Sequence, residues 1–357
     1  MHRILGHNEQ LQTFQTAIEL GRMHHAWILS GPAGIGKSLV AKAVSTALLD
    51  PSEPLDRMGH GGEASTQTQR LVEAGTHPDL HIIHRELSAS SKNPRLRERK
   101  QMNIPLDLLR ETLLGGRTSD GVIHEAAAYR TPVIAKAKTF IIDEAERLDL
   151  PGQNSLLKTL EEPPPATYIF LVTNRPERLL PTIRSRCQHM RLGPLTHDDM
   201  NLWLASSEIK LSSADTEIIL PFCEGAPGLA HLAIKRDLVE WIQSLEPILR
   251  CLDQGQWPFD AAPMMAERID LWAKAVVSEN PRASKDAANR EGAEMMLRIL
   301  SDHARRRLRA DESGQLQTCV LIDRIAEAEQ QFQAGLNLKH VLEALTAEWA
   351  SPLVGSR

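Results

Sequence analysis

Apolar residues along this chain follow two patterns, and the change between them comes after Pro194. Before it, short apolar runs alternate with stretches of helical spacing. Ala26-Trp27-Ile28-Leu29, Thr139-Phe140-Ile141-Ile142 and Tyr168-Ile169-Phe170-Leu171-Val172 read as buried strands, and Asp79 to Ile83 alternates enough for another. Leu11, Phe14 and Ile18 predict a helix over 8–20, with Asn8 as its cap and Gly21 as its stop. Leu39 to Val44 starts a second helix, which runs to about Leu49, and Leu106, Leu109 and Leu113 predict a third over 104–114. A helix over 154–160 is stopped by Pro163-Pro164-Pro165. Strands alternating with helices predict a parallel sheet covered on both faces, with ligands at the C-terminal strand ends. After Pro194 no strand is convincing. Short helices are expected over 198–207, 214–223 and 228–235, and longer ones from Leu238, including 294–308, 318–332 and 336–349.

Two stretches break the first pattern. Residues 51–78 are rich in turn formers and read as irregular. The charged run from Arg85 to Lys100 reads as a solvated loop in preference to a DNA-facing patch. Later, Arg305-Arg306-Arg307-Leu308-Arg309 reads as an exposed helix end whose cations suit the helix dipole.

Composition narrows the picture. With 357 residues, the chain is too long for one ordinary core. A net charge of −5 argues against a polycation that seeks nucleic acid along its whole surface. Cys187, Cys223, Cys251 and Cys319 are too scattered for a cysteine zinc site, and His60 and His77 read as lone polar residues. No apolar run is long enough to span a bilayer, so a cytoplasmic location is expected.

The candidate chemistry begins right after the first strand. Gly31-Pro32-Ala33-Gly34-Ile35-Gly36-Lys37-Ser38 fits the phosphate-binding pattern G-x-x-x-x-G-K-[ST]. Strand, loop and helix follow in the required order. Gly31, Gly34 and Gly36 let backbone N–H groups turn toward one point, and the following helix adds its positive end. Lys37 would neutralise the outer phosphates of ATP, and the Ser38 hydroxyl would hold Mg²⁺. Asp143-Glu144 closes a strand downstream. Asp143 would hold Mg²⁺ directly or through water, and Glu144 would act as general base on the attacking water. Read alone, this pair would be an ordinary strand end with an acidic cap. Beside an intact phosphate loop, the nucleotide reading prevails. Asn174 ends the next strand, where an amide can orient water near the γ-phosphate, with Thr173 as the fallback.

Ser185-Arg186-Cys187 then carries a resemblance, together with the Asn154 to Pro164 helix and the Asn174 to Cys187 spacing. The chain resembles the clamp-loader branch of the AAA+ ATPases, whose S-R-C arginine reaches into a neighbouring subunit's ATP site. A planar guanidinium suits that task, since its fork matches phosphoryl oxygens. Within the branch, residues 3–195 most resemble the delta-prime family of bacterial replication subunits, as does Leu336-Asn337-Leu338-Lys339-His340-Val341.

The resemblance implies an AAA+ P-loop NTPase α/β domain over 1–195, a small helical lid over 196–240 and a helical collar over 241–357. It implies ATP and Mg²⁺ as ligands. It implies a hetero-pentamer with delta and gamma/tau subunits that loads the sliding clamp on primer–template DNA, with Arg186 acting in trans. Two departures stand out. Residues 50–73 hold no cysteine where relatives often bind zinc, so no zinc is expected. Leu229 stands where the second sensor is an arginine, which puts hydrolysis in question. A gamma/tau-type motor, a non-hydrolysing stator and an AAA+ branch-migration helicase are the alternatives.

Overall fold

The structure is a computed structural model and describes residues 4–52, 55, 66–207, 209, 211–310 and 315–351. Its contacts divide the chain into two compact units. One comprises Met1–Ser212 and Cys223–His231, the other Ser213–Phe222 and Leu232–Arg357.

The first unit begins with helix α1 (Asn8–Glu19), strand β1 (Ala26–Ser30) and helix α2 (Lys37–Leu49). Helix α3 (Gln67–Glu73), strand β2 (Leu80–Ile83), a 3₁₀ turn (Arg85–Ser90) and helices α4 (Pro94–Glu98) and α5 (Leu106–Leu109) follow. A small hairpin of β3 (Gly116–Arg117) and β4 (Ile123–His124) leads to β5 (Lys138–Ile142), α6 (Leu150–Glu161) and β6 (Thr167–Thr173). The unit continues with α7 (Pro181–Arg184), β7 (Gln188–Arg191) and α8 (His197–Ser206). Five strands form one sheet in the order β2-β5-β6-β1-β7, and every pair in it is parallel. The expected α/β alternation is therefore present. β1 and β5 are buried at every position, as strands with a helix layer on each face should be. Ile28, Phe140, Ile142, Ile169 and Leu171 pack with Leu108, Leu109, Leu156 and Leu160 in one continuous core. On α1, Phe14 meets Trp27 edge to face at 4.8 Å.

Several local expectations need correction. Residue 7, not Asn8, occupies the cap of α1, with His7 in the left-handed region and no side-chain capping bond. The predicted 104–114 helix is short: α5 gives way to a π turn over Arg110–Leu114, and Ile104 instead bridges to Leu148. Residues 66–78 are not irregular, since Thr66 caps α3 by accepting from the Gln69 N–H. His77 is buried there, its Nδ1 accepting from the Asp79 N–H at 3.1 Å. The charged run keeps Lys92, Arg95, Arg97, Arg99 and Lys100 exposed, but it is folded into a 3₁₀ turn and α4. Ser91, Asn93 and Leu96 are buried within it, and the Asn93 side chain caps α4. The reading of 50–73 as a metal-free stretch falls largely on 53–54 and 56–65, outside the described residues.

Two buried ions fasten the N-terminal edge of the sheet. Asp79, 1% exposed, accepts the N–H of Val133 at 2.6 Å and those of Ile134 and Ala135 at 2.9 Å. The Lys138 ammonium donates to the carbonyls of Ala127, Ala128 and Arg130. Together they hold the segment that leads into β5.

The second unit is helical. Beyond α9 (Ser213–Cys223) and α10 (Pro227–Lys235), which the division between units cuts, it contains α11 (Leu238–Asp253), α12 (Ala261–Glu279), α13 (Lys285–Ala310), α14 (Gln315–Gln333) and α15 (Leu338–Ala350). Asp253 ends α11 and joins three helices, pairing with His303 Nε2 at 2.9 Å and with Arg307, and accepting from Trp349 Nε1 at 3.0 Å. Arg307 is thus a packing residue, not a solvated helix end. Among the described residues no helix is long and apolar enough to cross a membrane.

Candidate nucleotide-binding site

The phosphate loop leaves the C-terminal end of β1 and enters α2. Gly34 has φ +79°, open to glycine and strained for other residues. A Cβ there would stand 2.8 Å from the Leu229 nitrogen. The reason is a close contact: the N–H of Gly228, at the start of α10, donates to the Gly34 carbonyl at 2.8 Å. Leu229, which the resemblance puts at the second-sensor position, is buried and lies against the phosphate loop through its backbone. No cation stands there. Gly31 opens the loop and Gly36 caps α2 from the left-handed region. Lys37 is 8% exposed and donates to the loop's own carbonyls, Gly31 at 3.0 Å and Pro32 at 2.6 Å. Burial pushes its ammonium below the usual lysine range, while Glu146 and then Asp143 favour the charged form. Ser38 follows at the half-buried start of α2.

Register explains which groups meet. β6 lies between β5 and β1. Ser30 pairs with Thr173, and Ile142 with Leu171. The loop after Ser30, Asp143 after Ile142, and Thr173-Asn174 therefore share one edge of the sheet. Asn174 is exposed, whereas Thr173 is buried and its Oγ1 accepts the Arg175 N–H at 3.0 Å. Asp143 Oδ1 accepts the Glu144 N–H at 3.1 Å. Glu144 itself sits at φ 52°, ψ 48°, a costly place for a residue with a side chain. Burial pushes its carboxyl above the usual range, opposed by the Arg85 and Arg147 charges. Arg85 Nε stands 3.0 Å from Glu144 Oε2.

Arg186 is elsewhere. It lies two residues before β7, whose first paired residue, Gln188, lies beside Trp27 near the start of β1. It therefore stands at the N-terminal edge, while the phosphate loop leaves the C-terminal edge. A five-residue strand separates them, a span of about 16 Å. Its Nη2 meets Glu161 Oε1 at 2.6 Å and its Nη1 donates to the Thr182 carbonyl at 3.0 Å.

Sequence reasoning missed three residues that this edge brings in. Arg85, read as loop charge, pairs with Glu144. Glu146 is the leading charge acting on Lys37, and its Oε2 is buried without a hydrogen-bond partner among the described residues. His7 Nε2 lies 3.0 Å from the carbonyl of Ile35 inside the phosphate loop. A charged side chain next to an apolar strand end was the signal for the first two. His7 had none.

Comparison with known proteins now has a geometry to rest on. The family model described as "DNA polymerase III, delta subunit" matches residues 6–196. The chain belongs to the DNA polymerase III delta subunit family. The chain is 26% identical over 339 residues to DNA polymerase III subunit delta' of Pseudomonas aeruginosa, covering 92% of each. It is 31% identical over 243 residues to subunit delta' of Escherichia coli, covering 67% of this chain and 63% of that relative. DNA polymerase III subunit gamma of Buchnera aphidicola is 29% identical over 200 residues, covering 56% of this chain and 46% of that relative. The fold beside that membership is a parallel α/β domain with its phosphate loop after β1, and a C-terminal helical region.

Proposed function

We propose that this chain is a delta-prime-type subunit of the DNA polymerase III clamp loader, helping to place the sliding clamp on primed DNA within a hetero-pentamer that includes delta and gamma/tau subunits. It binds ATP with Mg²⁺ at its own phosphate loop and supplies Arg186 to the ATP site of a neighbour. The observation that carries this reading is the placement of the two features on opposite edges of one sheet. Arg186 cannot serve the loop of its own chain across that span, yet its guanidinium stands at a surface.

The donor set fits the ligand. Lys37 provides a buried ammonium aimed at loop carbonyls, Ser38 a hydroxyl at a helix N-terminus, and Asp143 a carboxylate at the adjacent strand end. ATP with Mg²⁺ would bring a phosphoryl group open to attack by water. Lys37 would offset phosphate charge, Ser38 and Asp143 would hold the cation, Asn174 would orient water and Glu144 would accept its proton. Leu229 adds no positive charge, so this chain's own site is expected to bind ATP more readily than it turns it over. The near-complete match to a delta' relative, against about half of a gamma relative, favours delta-prime over a gamma/tau motor. In the same reading, residues 196–240 form a lid and 241–357 a collar for assembly.

Nucleotide binding to the full chain, wild type against Lys37→Ala, tests the first half. Mg-ATP binding should fall at least tenfold. Unchanged affinity would refute the site. Co-purification with the other clamp-loader subunits tests the second half, and a chain that elutes alone would refute it.

A further inference from the structure

α6 carries a glutamate where its dipole disfavours one. The last helical residue is Glu161, followed by Glu162 at the cap, and only Lys158 in that turn has the favoured charge. A carboxylate at the negative end of a helix weakens the fold slightly, so its role lies elsewhere. Its contact is specific. Glu161 Oε1 takes Arg186 Nη2 at 2.6 Å, while Nη1 of the same guanidinium is spent on Thr182 at 3.0 Å.

The two anchors are themselves tied together. The Leu180 N–H, at the start of α7, donates to Gln153 Oε1 on α6 at 2.9 Å. The end of α6 is held at β1, where His25 Nε2 lies 3.0 Å from the Leu160 carbonyl. The guanidinium therefore rests on two supports that do not move independently. Five N–H donors belong to an arginine, and these two contacts leave its other donors for another molecule.

We propose that Glu161 is the positioning residue for Arg186, fixing the guanidinium in advance for phosphoryl oxygens of the neighbouring subunit's nucleotide. The inference rests on the reading that Arg186 acts in trans. A free arginine side chain loses rotamer freedom when it engages phosphate. One already held loses less, and the gain appears where geometry matters most, in turnover.

The test uses the assembled clamp loader carrying wild type, Glu161→Ala, Glu161→Gln, Arg186→Ala or the Glu161→Ala/Arg186→Ala double variant. The kcat and KM of its ATP turnover on primed DNA are measured, with the thermal midpoint of each full chain. Glu161→Ala should lower kcat by up to about fivefold, the range of an exposed ion pair, with KM unchanged. Glu161→Gln, which keeps a hydrogen-bond acceptor, should recover part of the loss. The thermal midpoint should hold or rise, since an unfavourable charge leaves the helix end. In the Arg186→Ala background, Glu161→Ala should add nothing. A lowered midpoint with unchanged kcat, or an equal loss in both backgrounds, overturns the inference while leaving the trans role standing. An unaffected Arg186→Ala overturns the trans role, and the inference with it.

Discussion

Gly34→Ala should be more damaging than Gly36→Ala in the phosphate loop, and its cost follows from geometry. The residue has φ +79°, which strains any side chain by about 1–2 kcal/mol. Its new Cβ would stand 2.8 Å from the Leu229 nitrogen and 3.3 Å from the Gly228 carbonyl carbon. Both are backbone atoms, so the loop and the start of α10 must separate. That loosens the 2.8 Å bond from the Gly228 N–H to the Gly34 carbonyl, worth about 0.5–1.5 kcal/mol net. The sum is about 1.5–3.5 kcal/mol. Gly36→Ala is the internal control. Its φ is +97°, but a Cβ there meets nothing within 4 Å, so only the strain of about 1–2 kcal/mol applies. Scanning calorimetry of the full chain reads the difference. A domain of this size loses about 2–4 °C per kcal/mol, so the middle of each free-energy range puts the drop at about 5–10 °C for Gly34→Ala and about 3–6 °C for Gly36→Ala. Equal shifts, or a larger one for Gly36→Ala, would refute the claim that loop and α10 are in close contact.

Two further outcomes are expected. Asp79→Asn removes a carboxylate that accepts three backbone N–H groups and favours the charged form of Lys138; urea unfolding should show a loss of about 1.5–3 kcal/mol. Those hydrogen bonds hold the Asp79 carboxyl below the usual carboxylate range despite burial, so its contribution is present above the unfolded-state value and should fade as pH drops through the folded one, a dependence absent in Asp79→Asn. Arg85→Ala removes the cation that opposes the upward push of burial on Glu144; the acidic limb of the pH profile for ATP turnover should move to higher pH, and an unmoved limb would show that Glu144 is not the titrating base.

Much of the nucleotide edge was legible because its signals are local. An apolar strand, a glycine-rich turn and a helix follow one another without a gap, and Asp143 closes a strand in the same way. β7 was not legible. Gln188-His189-Met190-Arg191 is polar and largely exposed, as a strand on the border of a sheet can be, since one side has no neighbour to bury against. The 85–100 run misled for a related reason. Its many charges hide a few buried residues, Ser91, Asn93 and Leu96, that decide its shape. Arg85 and Glu144 meet only because β2 and β5 are adjacent, and sequence spacing does not announce that pairing. The short π turn after α5 likewise arises from packing, since Leu106, Leu109 and Leu113 keep helical spacing throughout.

If Arg186 serves a neighbour's pocket as proposed, its placement opposite Lys37 makes the domain a directional building block. A two-fold dimer would present like to like, loop to loop or arginine to arginine, and complete neither pocket. Only head-to-tail stacking joins giver to receiver. Should such a row fail to close on itself, one terminal member keeps an arginine with no pocket to fill and the other a pocket with no arginine.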